Sequence, residues 1–244
     1  PLKIDKYTIN TWDNKYRADS NMTDVLVHSD NVGMVFIGQK IGLNKFYDYF
    51  DKFGFTEKTG IDLQDEVVPV PREKKKWSYV DLATASFGQG FVATNMQLLQ
   101  SVSVIANGGN LVEPRIVSKI ISPIKETTIP VKIKHRVISE ETAKIVTDMM
   151  VASAKEGEAK WTSVQGYNIA GKTGTAQVAY EGKYEEEKTN ASFIGFAPAK
   201  NPKFTMLVTL KEPSTSQWAS ETAAPLWFSI AQDLLNHFNV VPEK

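Results

Sequence analysis

The sequence predicts a mixed α/β fold of the α+β type, in which an antiparallel sheet is packed by helices and stands beside a helical subdomain. Three observations predict it. Helix signals dominate about residues 20–160, three short β-rich runs follow one another from residue 172 to residue 211, and an apolar helical stripe closes the chain. The expected organisation is therefore one partial domain over residues 1–244. It has a mainly helical part over about 20–160, then strands and a last helix over about 165–240.

The elements follow in order. Residues 4–12 (IDKYTINTW) are strand-like and come directly after Pro1-Leu2-Lys3. With no starting Met and no leader, the expectation is a piece of a longer protein. Thr23 and Asp24 stand where a helix can start, and apolar residues run on to Gly42; Asn44 is placed to cap a short aromatic helix ending at Gly54. Thr94 and Gln97 form a capping box, with Leu98, Val102 and Ile105 on one helical face and Asn107-Gly108-Gly109 as a stop. Residues 111–121 read as extended. Ser139, Glu140 and Glu141 open a helix through Met150, the acids complementing its N-terminal partial charge. Residues 172–180, 191–197 and 204–211 are the strands of a meander, and residues 181–188 (EGKYEEEK) read as a solvated hairpin tip. Pro225 marks the start of a helix whose stripe is Trp227, Ile230, Ala231, Leu234 and Phe238, long enough to cross the sheet.

Composition sets bounds. The chain has 244 residues and is 42% hydrophobic, enough for a real core. Twenty-eight basic residues balance twenty-eight acidic ones, so nothing points to nucleic acid or an anionic surface. No cysteine is present, which removes disulfides and thiolate chemistry, makes structural zinc unexpected and suits an extracytoplasmic bacterial protein. His28, His135 and His237 share no ligand spacing, and no stretch reaches the length of a membrane span.

Residues 171–177, GKTGTAQ, support two incompatible chemistries. Read from Gly166, GYNIAGKT matches the phosphate-binding pattern G-x-x-x-x-G-K-[ST]. That pattern needs an apolar strand before it and a helix starting at Lys172-Thr173. Residues 159–165 are mostly polar, however, and TGTAQVAY has a glycine and β-branched threonines where a first helical turn should form. Both flanks argue against a nucleotide hydrolase. Read from Lys172, K-T-G-T is a strand motif, and Ser29-Asp30-Asn31 precedes it at domain-scale spacing. A lone S-D-N carries little weight and reads as a helix-breaking polar cluster. S-x-x-K, S-D-N and K-T-G together are an established signature of class A β-lactamases and penicillin-binding proteins.

The residues carry a closer resemblance than those letters. GYNIAGKTGTAQ, DLATASFGQGF followed by TNMQLLQ, VIANGGNLVEPRIV, KTGIDL and ASFIGFAPAKNP stand in order over essentially the whole chain. Together they resemble a class B penicillin-binding protein, a monofunctional peptidoglycan D,D-transpeptidase. The resemblance implies that Lys172 sits at the inner edge of a cleft as a cation that orders the site and helps proton movement. It implies that Thr173 and Thr175 hold the terminal carboxylate of a D-alanyl-D-alanine stem peptide or of a β-lactam antibiotic. The Thr175 N–H would be half of an oxyanion hole, one such donor being worth about 3–4 kcal/mol. Gly174 would allow close backbone approach, Ser29 would relay a proton to the leaving group, and Asn31 would donate its amide to the substrate carbonyl. Asp30 carries no assigned role, and Gln177 and the SFGQG loop would support shape. No metal or organic cofactor is implied. The implied partners are stem peptides, β-lactams and membrane proteins of the elongation or division machinery. The domain would lie outside the bacterial cytoplasmic membrane, anchored by an N-terminal segment.

One departure matters. The nucleophile motif S-x-x-K is expected upstream of Ser29, and residues 1–28 hold none. The only match, Ser122-Pro123-Ile124-Lys125, follows an extended run and carries proline where a helix is required. The expectation is therefore a chain that lacks its own nucleophile and is inactive alone. A serine β-lactamase or β-lactam sensor shares the motifs but not the ATASFGQG and APAKNP segments. A non-catalytic division scaffold is the other alternative. A sheet without its neighbouring strands would expose an edge, so the chain alone is expected to melt broadly or aggregate rather than unfold sharply, which calorimetry of the isolated chain measures.

Overall fold

The computed structural model describes residues 1–70, 72–180 and 183–243. A small hairpin, β1 (Leu2–Ile4) and β2 (Tyr7–Ile9), is followed by helices α1 (Met22–Val27), α2 (Asn31–Ile41), α3 (Leu43–Lys52), α4 (Tyr79–Ser86) and α5 (Asn95–Ala106). Two short antiparallel ribbons come next. In the outer one β3 (Asn110–Glu113) pairs with β6 (Lys132–Arg136), and in the inner one β4 (Lys119–Ile121) pairs with β5 (Glu126–Thr128). Helix α6 (Glu140–Glu156) then leads to the main sheet of β7 (Ala170–Tyr180), β8 (Lys183–Ala197) and β9 (Phe204–Lys211), and α7 (Ala223–His237) ends the fold. The sheet is an antiparallel meander in the order β7-β8-β9, as the sequence predicts. Strand β8 begins at Lys183, and Lys183 and Tyr184 pair with Tyr180 and Ala179, so part of the expected hairpin tip lies in the ladder, with a register irregularity between Gln177 and Ala179. Glu181 and Gly182, where the tip was also placed, lie outside the described residues.

Strand alternation gives the sheet two different faces. Ala191, Phe193 and Ala197 of β8 pack on Ala223, Ala224, Trp227, Phe228, Ala231 and Leu235 of α7. On the opposite face Ala170 and Phe196 meet Met150 of α6, with Leu26 of α1 beside them. The sheet is thus held between α7 and α6. A third cluster, Val104, Leu111 and Val137, joins α5 to the β3–β6 ribbon.

Several helix boundaries differ from the sequence reading. The single helix expected from Thr23 to Gly42 is two helices. Asn21 caps α1, Ser29 turns into the left-handed region (φ 50°), and the Asp30 carboxylate accepts from the N–H groups of Val32 and Gly33 to start α2. A polar triplet that can satisfy orphan N–H groups locally restarts the helix. Helix α3 starts at Leu43 after Gly42, so Asn44 lies in its first turn and is not the cap. Thr94 does form the capping box of α5 with Gln97. The buried face of that helix is Gln97, Gln100, Ser101 and Val104, while Leu98, Val102 and Ile105 are only partly covered. The glutamines are inside because their amides bind backbone. Gln97 Nε2 donates to the carbonyls of Gly54, Phe55 and Glu57, and Gln100 Nε2 donates to those of Thr59 and Val112. Ser139 caps α6 as expected, but the helix runs six residues past Met150 to Glu156. In α7, Trp227 and Ala231 are buried as expected, but Phe228 and Leu235 complete the stripe, while Ile230 and Phe238 are 37% and 43% exposed. Alanines at 223, 224 and 231 let the helix approach closely along that line, a preference that apolar periodicity alone does not rank.

Two helices approach closely beneath the future site. Gly157 ends α6, and a Cβ there would lie 2.3 Å from the Ser153 carbonyl oxygen and 2.9 Å from that of Val27. Only hydrogen fits between the end of α6 and the end of α1. Gly157→Ala is expected to destabilise the fold by about 1–3 kcal/mol, as overpacking of a close contact does. Urea unfolding of the variant against the parent checks this; an unchanged midpoint would contradict it.

Candidate active site

Strand β7 brings the motif residues to the sheet edge. Its partner on one side is β8, with Lys172 opposite Ile194, Thr173 opposite Phe193 and Thr175 opposite Ala191. On its other side no strand pairs with it among the described residues. Alternate backbone groups of that edge are therefore open to a ligand. The same alternation sends Lys172 toward the α6 side and the two threonines toward the α7 side. The phosphate-binding reading fails here, because Lys172 and Thr173 are inside a strand and not at a helix N-terminus.

The Lys172 ammonium donates to three acceptors. These are the hydroxyl of Ser29, the Thr173 carbonyl at 3.1 Å and the Thr173 hydroxyl at 3.0 Å. Two motifs separated by 143 residues thus meet at one hydrogen bond. Ser29 reaches it because its left-handed backbone, between the end of α1 and the cap of α2, turns the side chain to the sheet edge. Asp30 is the cap that holds this turn, a role the sequence reading left unassigned. Burial holds the Lys172 pKa below its ordinary value, and the Glu158 carboxylate pulls it back upward.

Glu158 follows Gly157 and was not anticipated from sequence. Its carboxylate accepts a hydrogen bond from the Thr173 hydroxyl at 3.1 Å. The only local signal was an acid just beyond a helix-ending glycine, which has no spacing pattern to mark it. Thr175 is placed differently, its hydroxyl oxygen accepting from the N–H of Ala219 at 3.2 Å. The Cβ that Gly174 lacks would meet the Ser192 hydroxyl at 2.7 Å, and that hydroxyl donates to the Gly174 carbonyl. The Asn31 amide donates to the Asn10 carbonyl at 3.1 Å. Gln177 is exposed further along β7. Ser86, which opens the SFGQG loop, is buried against Gly38, where a Cβ would lie 1.9 Å from the Ser86 oxygen. That contact packs α4 on α2, a supporting position.

Two tryptophans join the walls. Trp12 donates its indole N–H to the His28 carbonyl, next to Ser29, and its ring lies 5.6 Å from that of Trp218, next to Ala219. Ser122 and Lys125 stand elsewhere, exposed in the β4–β5 turn, where they bond to each other's backbone. That geometry is not the one-turn helical pairing S-x-x-K requires. No group of His, Asp or Glu that could hold a metal is present among the described residues.

The arrangement brings the K-T-G and S-D-N residues together at the open edge of one strand. Residues 2–236 match the penicillin binding protein transpeptidase domain, and the chain belongs to that family. It is 36% identical to stage V sporulation protein D of Bacillus subtilis over 99% of this chain and 38% of that protein. It is 32% identical to the peptidoglycan D,D-transpeptidase FtsI of Buchnera aphidicola over 99% of this chain and 42% of that protein. The chain therefore spans about two fifths of the length of these relatives. The crystal structure of penicillin binding protein 3 from Mycobacterium tuberculosis, complexed with ampicillin, superposes with a TM-score of 0.86 at 32% identity. It covers 91% of this chain and 52% of that one.

The lowered Lys172 pKa has a consequence for stability. Between the folded pKa and the ordinary 10.5, the unfolded chain binds the proton that the folded chain has lost. Stability from this group therefore rises with pH through that window, and below it the cost of burying the cation is felt in full. Lys172→Met is expected to remove that alkaline gain. Urea unfolding of parent and variant across alkaline pH checks this, and parallel curves would contradict it.

Proposed function

We propose that this chain forms the substrate-recognition and proton-relay part of a serine D,D-transpeptidase that cross-links peptidoglycan stem peptides. One observation carries the reading: Lys172 of K-T-G donates to Ser29 of S-D-N at the open edge of a strand. Because Ser29 accepts from the ammonium, its own proton is left to give away. In the reaction, a serine gives its proton to the lysine of its own S-x-x-K and attacks the penultimate D-alanine carbonyl. The bond to the terminal D-alanine breaks, and the departing nitrogen takes a proton from Ser29, which Lys172 resupplies and then recovers from that second lysine. An amine of a second stem peptide then displaces the serine and forms the cross-link. Thr175 donates its hydroxyl proton to the terminal carboxylate, with Thr173 beside it, and the Thr175 N–H serves the developing oxyanion. Asn31 has a second amide proton beyond the one it gives to Asn10, and that proton serves the substrate carbonyl.

This reading assigns the nucleophile to a serine outside these residues, since Ser122 is in an exposed turn and Ser29 is engaged as the relay. It places the domain on the outer side of the bacterial cytoplasmic membrane, tethered by another segment and working with elongation or division proteins. No helix among the described residues is long and apolar enough to cross a membrane. β-Lactams act on this site as mimics of the stem-peptide terminus. The family match and the relative named a D,D-transpeptidase support the reaction class.

A fluorescent penicillin tests the assignment. The full-length protein is expected to become covalently labelled, the 244-residue chain to remain unlabelled, and Lys172→Ala in the full-length protein to slow labelling by about a hundredfold. Intact-mass detection of an adduct on Ser29 or Ser122 would overturn the division of roles. Rapid release of hydrolysed penicillin would define a β-lactamase instead.

A further inference from the structure

The two motif threonines are not equivalent, and the difference lies in where their protons go. A hydroxyl has one proton to donate. Thr173 spends its proton on the Glu158 carboxylate and accepts from the Lys172 ammonium, while Thr175 accepts from Ala219 and keeps its proton. The result is a directed chain from Lys172 through Thr173 to Glu158.

We infer that Glu158 is a positioning residue for the transfer: through the Thr173 hydroxyl it holds the Lys172 ammonium against Ser29, leaving Thr175 as the hydroxyl that donates to the substrate carboxylate. This rests on the transpeptidase reading and deepens it. A carboxylate that accepts from Thr173 fixes the direction of that hydroxyl, and a fixed hydroxyl oxygen gives the ammonium a fixed acceptor. The Glu158 charge also favours the cationic form of a lysine that burial pushes the other way. The other charged or titratable groups on the elements packed around Lys172 include Asp24 on α1, His28 and Asp30 between α1 and α2, Lys144, Asp148, Lys155 and Glu156 on α6, and Lys188 on β8. Asp30 is occupied as the α2 cap, and Lys155 and Glu156 are exposed. Gly157, pinned between α6 and α1, sets where Glu158 begins. A negative charge beside Thr173 further disfavours a substrate carboxylate at that threonine and steers it to Thr175.

The test uses the full-length protein and the rate of acylation by penicillin as a function of pH. Glu158→Gln keeps an acceptor for the Thr173 hydroxyl and removes the charge. The alkaline limb of the profile is expected to move to lower pH, because the lysine loses its proton earlier. Thr173→Val, which cuts the chain in the middle, is expected to move the same limb, and the double variant is expected to move it no further than the larger single shift. Thr175→Val is expected to slow acylation at every pH without moving the limb. An unmoved limb in both Glu158→Gln and Thr173→Val, with the parent protein still acylated, would overturn this inference alone. A parent protein that penicillin does not acylate would take down the transpeptidase reading and this inference with it.

Discussion

The site is organised around one half-buried cation. An ammonium removed from water is costly unless its protons find acceptors, and Lys172 finds all three within its own strand and the α1–α2 link. That requirement reaches far into the fold. The sheet must be clamped between α6 and α7 so that β7 cannot shift, since a one-residue slip would exchange the lysine face for the threonine face. Helix α1 must end where Ser29 can turn, and α6 must end in a residue small enough to let α1 approach. The same lysine that costs stability is the group through which the chemistry is proposed to run.

Much of the sheet was readable because its signals are local. Residues 172–180 carry β-branched threonines and a glycine that make a poor helix, and the next two runs are apolar and separated by a proline-bounded turn. The capping box of α5 and the start of α6 were equally local. What failed depended on partners distant in sequence. Gln97 and Gln100 lie inside because carbonyls of the residues after α3 need donors, and no periodicity marks them. The stripe of α7 was misplaced because that helix carries apolar residues on more than one face and only the sheet chooses among them.

The site shows the same division. K-T-G and S-D-N could be named from their letters, and their order gave a reason to expect them near each other. Their hydrogen-bond directions could not be read. Nothing in the sequence says that Thr173 turns to Glu158, that Thr175 receives a backbone N–H, or that Asn31 gives one amide proton to Asn10. Asp30 carries no role that its letter assigns, and it is the cap that makes the break between helices possible. Motifs record which chemical groups a site uses, while the assignment of each proton is made by the fold.

The contact between Trp12 and Trp218 has a further consequence. Each indole belongs to a different wall, one fastened beside Ser29 and the other beside Thr175, and each remains partly open to solvent. Two of the chain's five tryptophans are thus a native optical gauge across the cleft. Their emission depends on ring separation and on wetting, so a ligand that parts or closes the walls changes the intrinsic fluorescence without any attached dye. Occupancy of this cleft can then be followed by light from the protein itself.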